Sequence, residues 1–288
     1  MKISAGSSSD PGLEDEFIVC YWEERGGGLS YHPEISPDSL TLEQLAADII
    51  EVTHYLRQRF GQDRIYLAAH SGGTAFAIEV AARAPELYHA YIGIAQITRQ
   101  TESEKIAYRF LLDEYLAAGN KKMVDKLKRY PVLDDDAYVL PFFKSMVRDQ
   151  AMHQLGVGTM RTMKSVEKDV VLPIMLCKAY TAREKMGLWK SKFSLITKTQ
   201  LAEQLIATDL TARVTGLEIP VYFFSGAYDL TVNHELSKSY LNQLKAPVKG
   251  FYTFENSAHS PNFEEPEKMM EIIRKDVLRA ENKLADQQ

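Results

Sequence analysis

The chain has 288 residues, of which 45% are hydrophobic and 25% charged, and a formal net charge of −5. This composition is typical of a globular protein with one main domain and a subsidiary one, and its acidic excess excludes broad binding to polyanions. The N-terminal residues Met1–Gly12 lack the apolar core of a secretory signal, and the apolar run Val170–Cys177 is too short to span a membrane. We therefore expect a cytoplasmic protein with neither nucleic-acid nor membrane partners.

Alternating strands and helices form the first third of the chain. Short apolar runs predict strands that are buried on both faces of a parallel sheet, namely Phe17–Trp22, Arg64–Ala69 and Ala90–Ile97. Two helices are predicted between them, the first from apolar residues at three- and four-residue steps and the second ended by Pro85. The first is Thr41–Phe60, with Thr41 and Gln44 as a capping-box pair and Gly61 as its stop, and the second is Thr74–Ala84. This order implies right-handed crossovers and a parallel sheet flanked by helices, an α/β architecture.

A segment from Thr98 to Leu217 departs from this pattern, because it has little strand signal and consists mostly of helix-forming residues. Patterns typical of strands return after Leu217. The later predicted elements are the strand Val221–Ser225, a helix from about Asn233 to Leu244, the strand Gly250–Phe254 and a helix from Pro266 to about Ala280. We therefore predict an α/β core made of residues 1–97 and 218–288, an inserted helical cap made of residues 98–217, and a frayed tail after residue 280.

Ser71 is the candidate nucleophile. The string Ala69-His70-Ser71-Gly72-Gly73 lies where a predicted strand meets a predicted helix, and a sharp turn there would expose the serine hydroxyl. The N–H of Gly72, at the start of the helix, would point to the same space and stabilise an oxyanion. The similar string at Ser4 has no long strand before it, so context favours Ser71.

A serine hydroxyl needs a base and an orienting acid to act as a nucleophile. In this kind of sheet, an acidic residue and then a histidine follow the ends of later strands. Asp229 follows the predicted strand at 221–225, and His259 follows the predicted strand at 250–254. Ser71, Asp229 and His259 are therefore the predicted catalytic triad.

Other acidic residues and histidines fit less well. Asp209 lies in a string similar to that of Asp229, but within the helical segment, and His234 lies at a helix start. The side chain of His70 should diverge from that of Ser71. The remaining histidines follow no predicted strand: His32, His54, His89 and His153.

Metal, redox and anion sites are not indicated. No pair of histidines has metal-ligand spacing with a third ligand nearby, and Cys20 and Cys177 lie outside any CxxC or CxxH pattern. The basic residues between Lys121 and Arg129 enclose Asp125 and are followed by Asp134, Asp135 and Asp136, which favours a solvated helix face. We expect no cofactor.

In these motifs the chain resembles the α/β-hydrolase superfamily, and in particular its bacterial proline iminopeptidase-like branch, which has a helical cap. The string Glu23-Glu24-Arg25-Gly26-Gly27-Gly28-Leu29-Ser30 is similar to that branch's Asp-Gln-Arg-Gly-x-Gly-x-Ser signature. The elbow at Ser71, the Gly-x-x-Asp string ending at Asp229 and the string His259-Ser260-Pro261 match as well. The resemblance runs from about Gly12 to Leu278 and implies a nucleophilic serine hydrolase of small acyl, ester or peptide substrates.

Two features depart from the family pattern. The first elbow position is Ala69 in place of glycine. The family also has three strands before the one at Phe17, and the third ends in a His-Gly-Gly-type loop that gives a second oxyanion N–H; neither is seen before Phe17 here. In the family that third strand lies between those corresponding to Phe17–Trp22 and Arg64–Ala69. We therefore expect an N-terminally shortened sheet in which Phe17–Trp22 pairs directly with Arg64–Ala69. The alternative is that Lys2–Ser4 takes the place of the missing strand between them.

The leading hypothesis is a serine hydrolase that cleaves a small ester, amide or short peptide through an acyl-enzyme, with aminopeptidase activity as one candidate. The alternative is a weakly active or non-catalytic binding protein with a lid, which keeps the triad on a hydrolase scaffold with an incomplete oxyanion hole. Ser71 argues against dehalogenase and epoxide-hydrolase chemistry, because both use a carboxylate nucleophile. Ester and aminoacyl substrates, and the oligomeric state, stay open at this point.

Overall fold

The computed structural model describes residues 2–4, 12–165, 167–178 and 180–287. Its strands, in chain order, are β1 (Lys2–Ser4), β2 (Val19–Tyr21), β3 (Ile65–His70), β4 (Tyr88–Ile94), β5 (Val221–Gly226) and β6 (Lys249–Phe254). Strands β3 to β6 form a parallel sheet in the order β3-β4-β5-β6. Because all four strands run in one direction, their carboxyl ends meet at a single edge, where ligand sites of such sheets form.

Helices connect and cover these strands. They are α1 (Leu42–Phe60), α2 (Thr74–Arg83), α3 (Gln100–Ala117), α4 (Lys121–Leu127), α5 (Val139–Phe143), α6 (Met146–Leu155), α7 (Leu172–Leu176), α8 (Ala182–Lys198), α9 (Leu201–Ile206), α10 (Leu210–Arg213), α11 (His234–Gln243), α12 (Pro261–Glu264) and α13 (Pro266–Lys275). Side chains of α1, α2 and α11 build one apolar cluster against the sheet, and α13 builds another with β4, β5 and β6. The sheet therefore lies between two helical layers, which confirms the predicted α/β class.

The start and stop signals of α1 act as predicted, with one difference. Thr41 accepts a hydrogen bond from the backbone N–H of Gln44 at 3.1 Å, and Gly61 ends the helix with a φ of 61°. The Gln44 side chain donates to Asp48 at 2.9 Å. The cap is therefore made by Thr41, while the predicted reciprocal bond from Gln44 is replaced by a contact one turn along the helix.

The prediction that Phe17–Trp22 pairs with β3 is wrong. Strand β2 pairs antiparallel with β1 instead, with Ile3 opposite Cys20. Side chains bridge the region between β2 and β3, since the ring of Phe17 lies 5.2 Å from the ring of Tyr66. Burial on both faces is also wrong for β2 and for β3. Tyr21 is 52% exposed, and the residues of β3 are half-buried or exposed along the edge of the four-stranded sheet.

Helices α3 to α10 lie between β4 and β5 in the chain, as the helical signal of this segment predicted. The two ends of the segment meet, because the N–H of Leu210 donates to the carbonyl of Thr98 at 2.9 Å. Inside the segment, buried side chains of α3, α4, α5 and α6 form an apolar cluster of their own. Within the part of the chain that the structure describes, no helix is long and apolar enough to cross a membrane.

The tail after residue 280 is docked, so the prediction that it frays is wrong for the described residues 281–287. The N–H of Asp286 donates to the carbonyl of Phe251 at 2.8 Å, and its carboxylate accepts from the backbone N–H of Thr253 at 3.3 Å. The N–H of Leu284 donates to the carboxylate of Asp276 at 2.8 Å. The tail polar groups are satisfied by β6 and by the buried Asp276 rather than by water alone.

Candidate active site

Ser71 occupies a strained turn between β3 and α2. The backbone is extended at His70 and then turns sharply at Ser71, whose φ is 53°. A serine with positive φ is uncommon and is held there by its surroundings. The hydroxyl of Thr74 donates to the Ser71 carbonyl at 2.6 Å and accepts from the N–H of Ile97 at 2.9 Å. This buried hydroxyl ties the turn to the end of β4.

The turn accepts an alanine at its first position. A Cβ added to Gly73 would lie 3.9 Å from the Cβ of Ala69, which is an ordinary van der Waals distance. The methyl group of Ala69 therefore fits beneath the turn without displacing it. Gly72 follows Ser71 directly, and a Cβ there would lie 3.8 Å from a terminal carbon of Leu205, on α9. Helix α9 thus lies beside the residue that is the predicted oxyanion donor.

Asp229 follows β5 through a short turn and is 1% exposed. One carboxylate oxygen accepts hydrogen bonds from the N–H groups of Thr231 and Val232, both at 2.9 Å. The other carboxylate oxygen is bonded to Nδ1 of His259 at 2.9 Å. Because an ionised carboxylate can only accept, the imidazole carries its hydrogen on Nδ1.

His259 follows β6 and links the other two residues. With Nδ1 protonated, Nε2 has a free lone pair, and it lies 2.7 Å from the hydroxyl oxygen of Ser71. The serine O–H therefore donates to His259, and the histidine N–H donates to Asp229. The three side chains predicted from separate parts of the sequence, Ser71, Asp229 and His259, form one chain of hydrogen bonds at the carboxyl edge of the sheet.

The competing residues have other partners. Asp209 caps α10 by accepting from the N–H of Thr211 at 3.0 Å, and its surface is exposed. Nε2 of His234 lies 2.9 Å from the hydroxyl of Thr253. His70 is near the site but its Nε2 lies 2.8 Å from the backbone carbonyl of His259, so this ring atom is not bonded to Ser71.

The helical segment contacts the loops that carry Asp229 and His259 through individual hydrogen bonds that the sequence alone does not reveal. The N–H of His259 donates to the carbonyl of Gly158 at 3.2 Å, and the N–H of Leu230 donates to the carbonyl of Val157 at 3.2 Å. The carboxylate of Glu264 accepts hydrogen bonds from the backbone N–H of Arg161 at 2.7 Å and from the backbone N–H of Ala258 at 2.8 Å. Residues 157–161 therefore lie directly against the candidate site.

Other features singled out in the sequence lie outside this site. Cys20 and Cys177 are free and half-buried. Within α4, Met123, Val124 and Leu127 are buried while the lysines lie on the outer side. Among the described residues, no group of three His, Cys, Asp or Glu side chains is arranged to hold a metal ion.

A parallel sheet between helical layers, with a strained serine turn between strand and helix, defines an α/β-hydrolase. Residues 13–266 match the model of a hydrolase family described as serine aminopeptidase, S33. The chain is also 32% identical to "Probable aminopeptidase YbaC" of Bacillus subtilis (strain 168) over 259 residues, which cover 88% of this chain and 78% of that protein. The chain therefore belongs to the S33 serine aminopeptidase family of α/β-hydrolases, which confirms the resemblance seen in its motifs.

Solved structures share the fold at low identity. A crystal structure of VinJ matches with a TM-score of 0.57 and 16% identity, covering 89% of this chain and 79% of that one. The proline iminopeptidase of Mycobacterium smegmatis matches with a TM-score of 0.51 and 13% identity, covering 86% of this chain and 75% of that one. At such identities the similarity concerns the fold alone.

Proposed function

We propose that this hydrolase is a serine hydrolase with Ser71 as its nucleophile, His259 as its base and Asp229 as the acid that orients the base. The observation that carries this proposal is the unbroken chain of hydrogen bonds from Asp229 through His259 to Ser71, at 2.9 and 2.7 Å. These distances are within the range needed for proton transfer between a nucleophile and its base.

The reaction proceeds in two halves. Ser71 attacks the substrate carbonyl while Nε2 of His259 takes its proton, and Asp229 stabilises the imidazolium that forms. The N–H of Gly72 donates to the oxyanion of the tetrahedral intermediate. His259 then returns the proton to the leaving alcohol or amine, which departs and leaves an acyl group on Ser71. Water, activated by His259, attacks the acyl group and releases the acid product and the free serine.

The substrate class follows from the setting of the triad. We assign residues 98–217 to a cap over a core of residues 1–97 and 218–288, since the segment around Gly158 contacts the base and α9 lies beside Gly72. A cap in this place admits small molecules or short peptides rather than folded proteins. The family description and the name of the Bacillus subtilis relative favour an aminoacyl peptide or amide over a simple ester.

The experiment that tests this function combines active-site labelling with a substrate panel. A fluorophosphonate probe should label the wild-type protein and a Ser36→Ala control, but not Ser71→Ala. The panel compares aminoacyl p-nitroanilides with short-chain p-nitrophenyl esters, and faster turnover of the anilides per unit of enzyme is expected for an aminopeptidase. Wild-type protein that binds these compounds but is neither labelled nor active would support the alternative of a binding protein with a lid.

A further inference from the structure

Both backbone polar groups of His259 are anchored, and the two anchors come from different parts of the fold. Its N–H donates to the carbonyl of Gly158, in the helical segment, at 3.2 Å. Its carbonyl lies 2.8 Å from Nε2 of His70, the residue directly before Ser71. A carbonyl oxygen can only accept, so Nε2 of His70 carries a hydrogen and donates it.

From this arrangement we infer that His70 is a positioning residue that sets the distance between the base His259 and the nucleophile Ser71. This inference rests on the proposed function of Ser71 and His259. Two neighbouring residues at the end of β3, His70 and Ser71, therefore both contact His259. Ser71 presents its hydroxyl to the imidazole, and His70 grips the backbone from which that imidazole projects.

The geometry gives this contact an effect that the other bonds of His259 do not supply. Asp229 fixes the ring from the far side at Nδ1, and Gly158 fixes the backbone from the helical segment. Among the hydrogen bonds of His259 in the described part of the chain, those from His70 and Ser71 come from the end of β3 and the turn that follows it. Without the His70 bond, the loop after β6 could shift relative to β3 while the His259–Asp229 pair moves with it. A displacement of about 1 Å is enough to reduce turnover by roughly 100-fold in well-aligned sites.

The rings of His70 and His259 are close as well, with centroids 4.9 Å apart. A positive charge on His70 would oppose the imidazolium that forms on His259 during the reaction. Burial among protein atoms and the neighbouring His259 imidazole lower the pKa of His70 to about 4, while the carbonyl bond and Asp229 act in the opposite direction. At neutral pH His70 is therefore an uncharged donor, which suits a residue that must lie beside the base.

The test compares His70→Leu, which removes the donor, with His70→Gln, whose side-chain amide can donate from a similar distance. His54→Leu, an exposed position on α1, is the matched control. Two readouts are taken: the rate of fluorophosphonate labelling of Ser71 together with kcat and KM for a p-nitrophenyl ester, and amide hydrogen exchange of residues 256–263.

His70→Leu should lower kcat and the labelling rate by about 10-fold or more with KM nearly unchanged, and should speed exchange in residues 256–263. His70→Gln should recover most of both effects, and His54→Leu should behave as wild type. Unchanged exchange in His70→Leu, or a His70→Gln variant as impaired as His70→Leu, would overturn the inference. If the wild-type protein is not labelled but the exchange results are as expected, the proposed function fails while the positioning of His259 stands.

Discussion

Glu264 and Arg161 connect the loop of the candidate base to the helical segment. The Glu264 carboxylate accepts the backbone N–H of Arg161 at 2.7 Å with one oxygen and the N–H of Ala258 at 2.8 Å with the other. Ala258 directly precedes His259. A single side chain therefore joins residues 157–161 to the loop that holds the imidazole.

Replacing Glu264 by alanine should loosen this connection. Two backbone donors lose a charged acceptor, and such bonds are stronger than those between neutral groups. We expect a decrease in kcat of about 10-fold and faster proteolytic cleavage between residues 156 and 165, measured by ester hydrolysis and limited trypsin digestion. Glu267→Ala, on the exposed side of α13, is the control. Equal digestion of both variants would contradict a connecting role for Glu264.

Gly226 lies in close contact with the backbone of Ser257 and Ala258, directly before His259. A methyl group at this position, at the end of β5, would overlap the carbonyl oxygen of Ala258 and press on that of Ser257 at 2.5 Å. Because two backbone segments meet there, neither can move aside as a flexible side chain could. Gly226→Ala should therefore greatly reduce the yield of folded protein. Gly187→Ala, within α8 where a methyl meets nothing, should raise helix stability by about 1 kcal/mol. Similar melting temperatures for the two variants would show that the backbone at Ser257 and Ala258 can move aside for a methyl group at position 226.

Asp229→Asn and Asp209→Asn form a matched pair for the assignment of the acid. Asparagine at 229 removes the charge that stabilises the imidazolium and permits the wrong tautomer of His259, so kcat should fall by up to about 10⁴. Asparagine at 209 still caps α10, because its side-chain oxygen also accepts from the N–H of Thr211. Its kcat/KM should stay within about twofold of wild type. A larger loss at 209 than at 229 would overturn the assignment.

The sequence predicted most of the elements that depend on local signals. Thr41 and Gly61 mark the ends of α1 because caps act on backbone groups a few residues away. The placement of Ser71, Asp229 and His259 after β3, β5 and β6 was also predictable, because parallel strands bring their carboxyl ends to one edge.

The features that were missed depend on contacts between distant parts of the chain. Whether β2 pairs with β1 or with β3 depends on which backbone edge is free and on the rings of Phe17 and Tyr66 between them. The docking of Asp286 on β6 and the bond from His70 to His259 have the same origin, since no local pattern encodes a partner dozens of residues away.

Glu104 and Arg148 form a buried ion pair between α3 and α6, and they permit a test of stability in the helical segment. The Nη2 atom of Arg148 lies 2.6 Å from Glu104, and the two side chains are 6% and 0% exposed. Arg148→Met leaves a carboxylate buried without its partner, which should cost about 3 to 5 kcal/mol in urea unfolding. The double variant Glu104→Leu, Arg148→Met should recover most of this loss, because two apolar side chains leave no buried charge without a partner. A double variant less stable than the single one would contradict this account.

The lowered pKa of His70 predicts a pH dependence of stability. Burial and the neighbouring His259 imidazole lower the pKa of His70 in the folded protein from its ordinary value of 6.5 to about 4. Between these values the unfolded chain binds a proton that the folded chain does not, so the free energy of unfolding falls as the pH decreases from 6.5 to 4. His70 is partly exposed to solvent, so screening makes this contribution smaller than the full difference in pKa implies. Urea unfolding of wild type and His70→Gln at pH 7 and pH 4.5 should show the smaller loss in the variant, because glutamine does not titrate. An equal loss in His70→Gln would show that His70 titrates alike in both states.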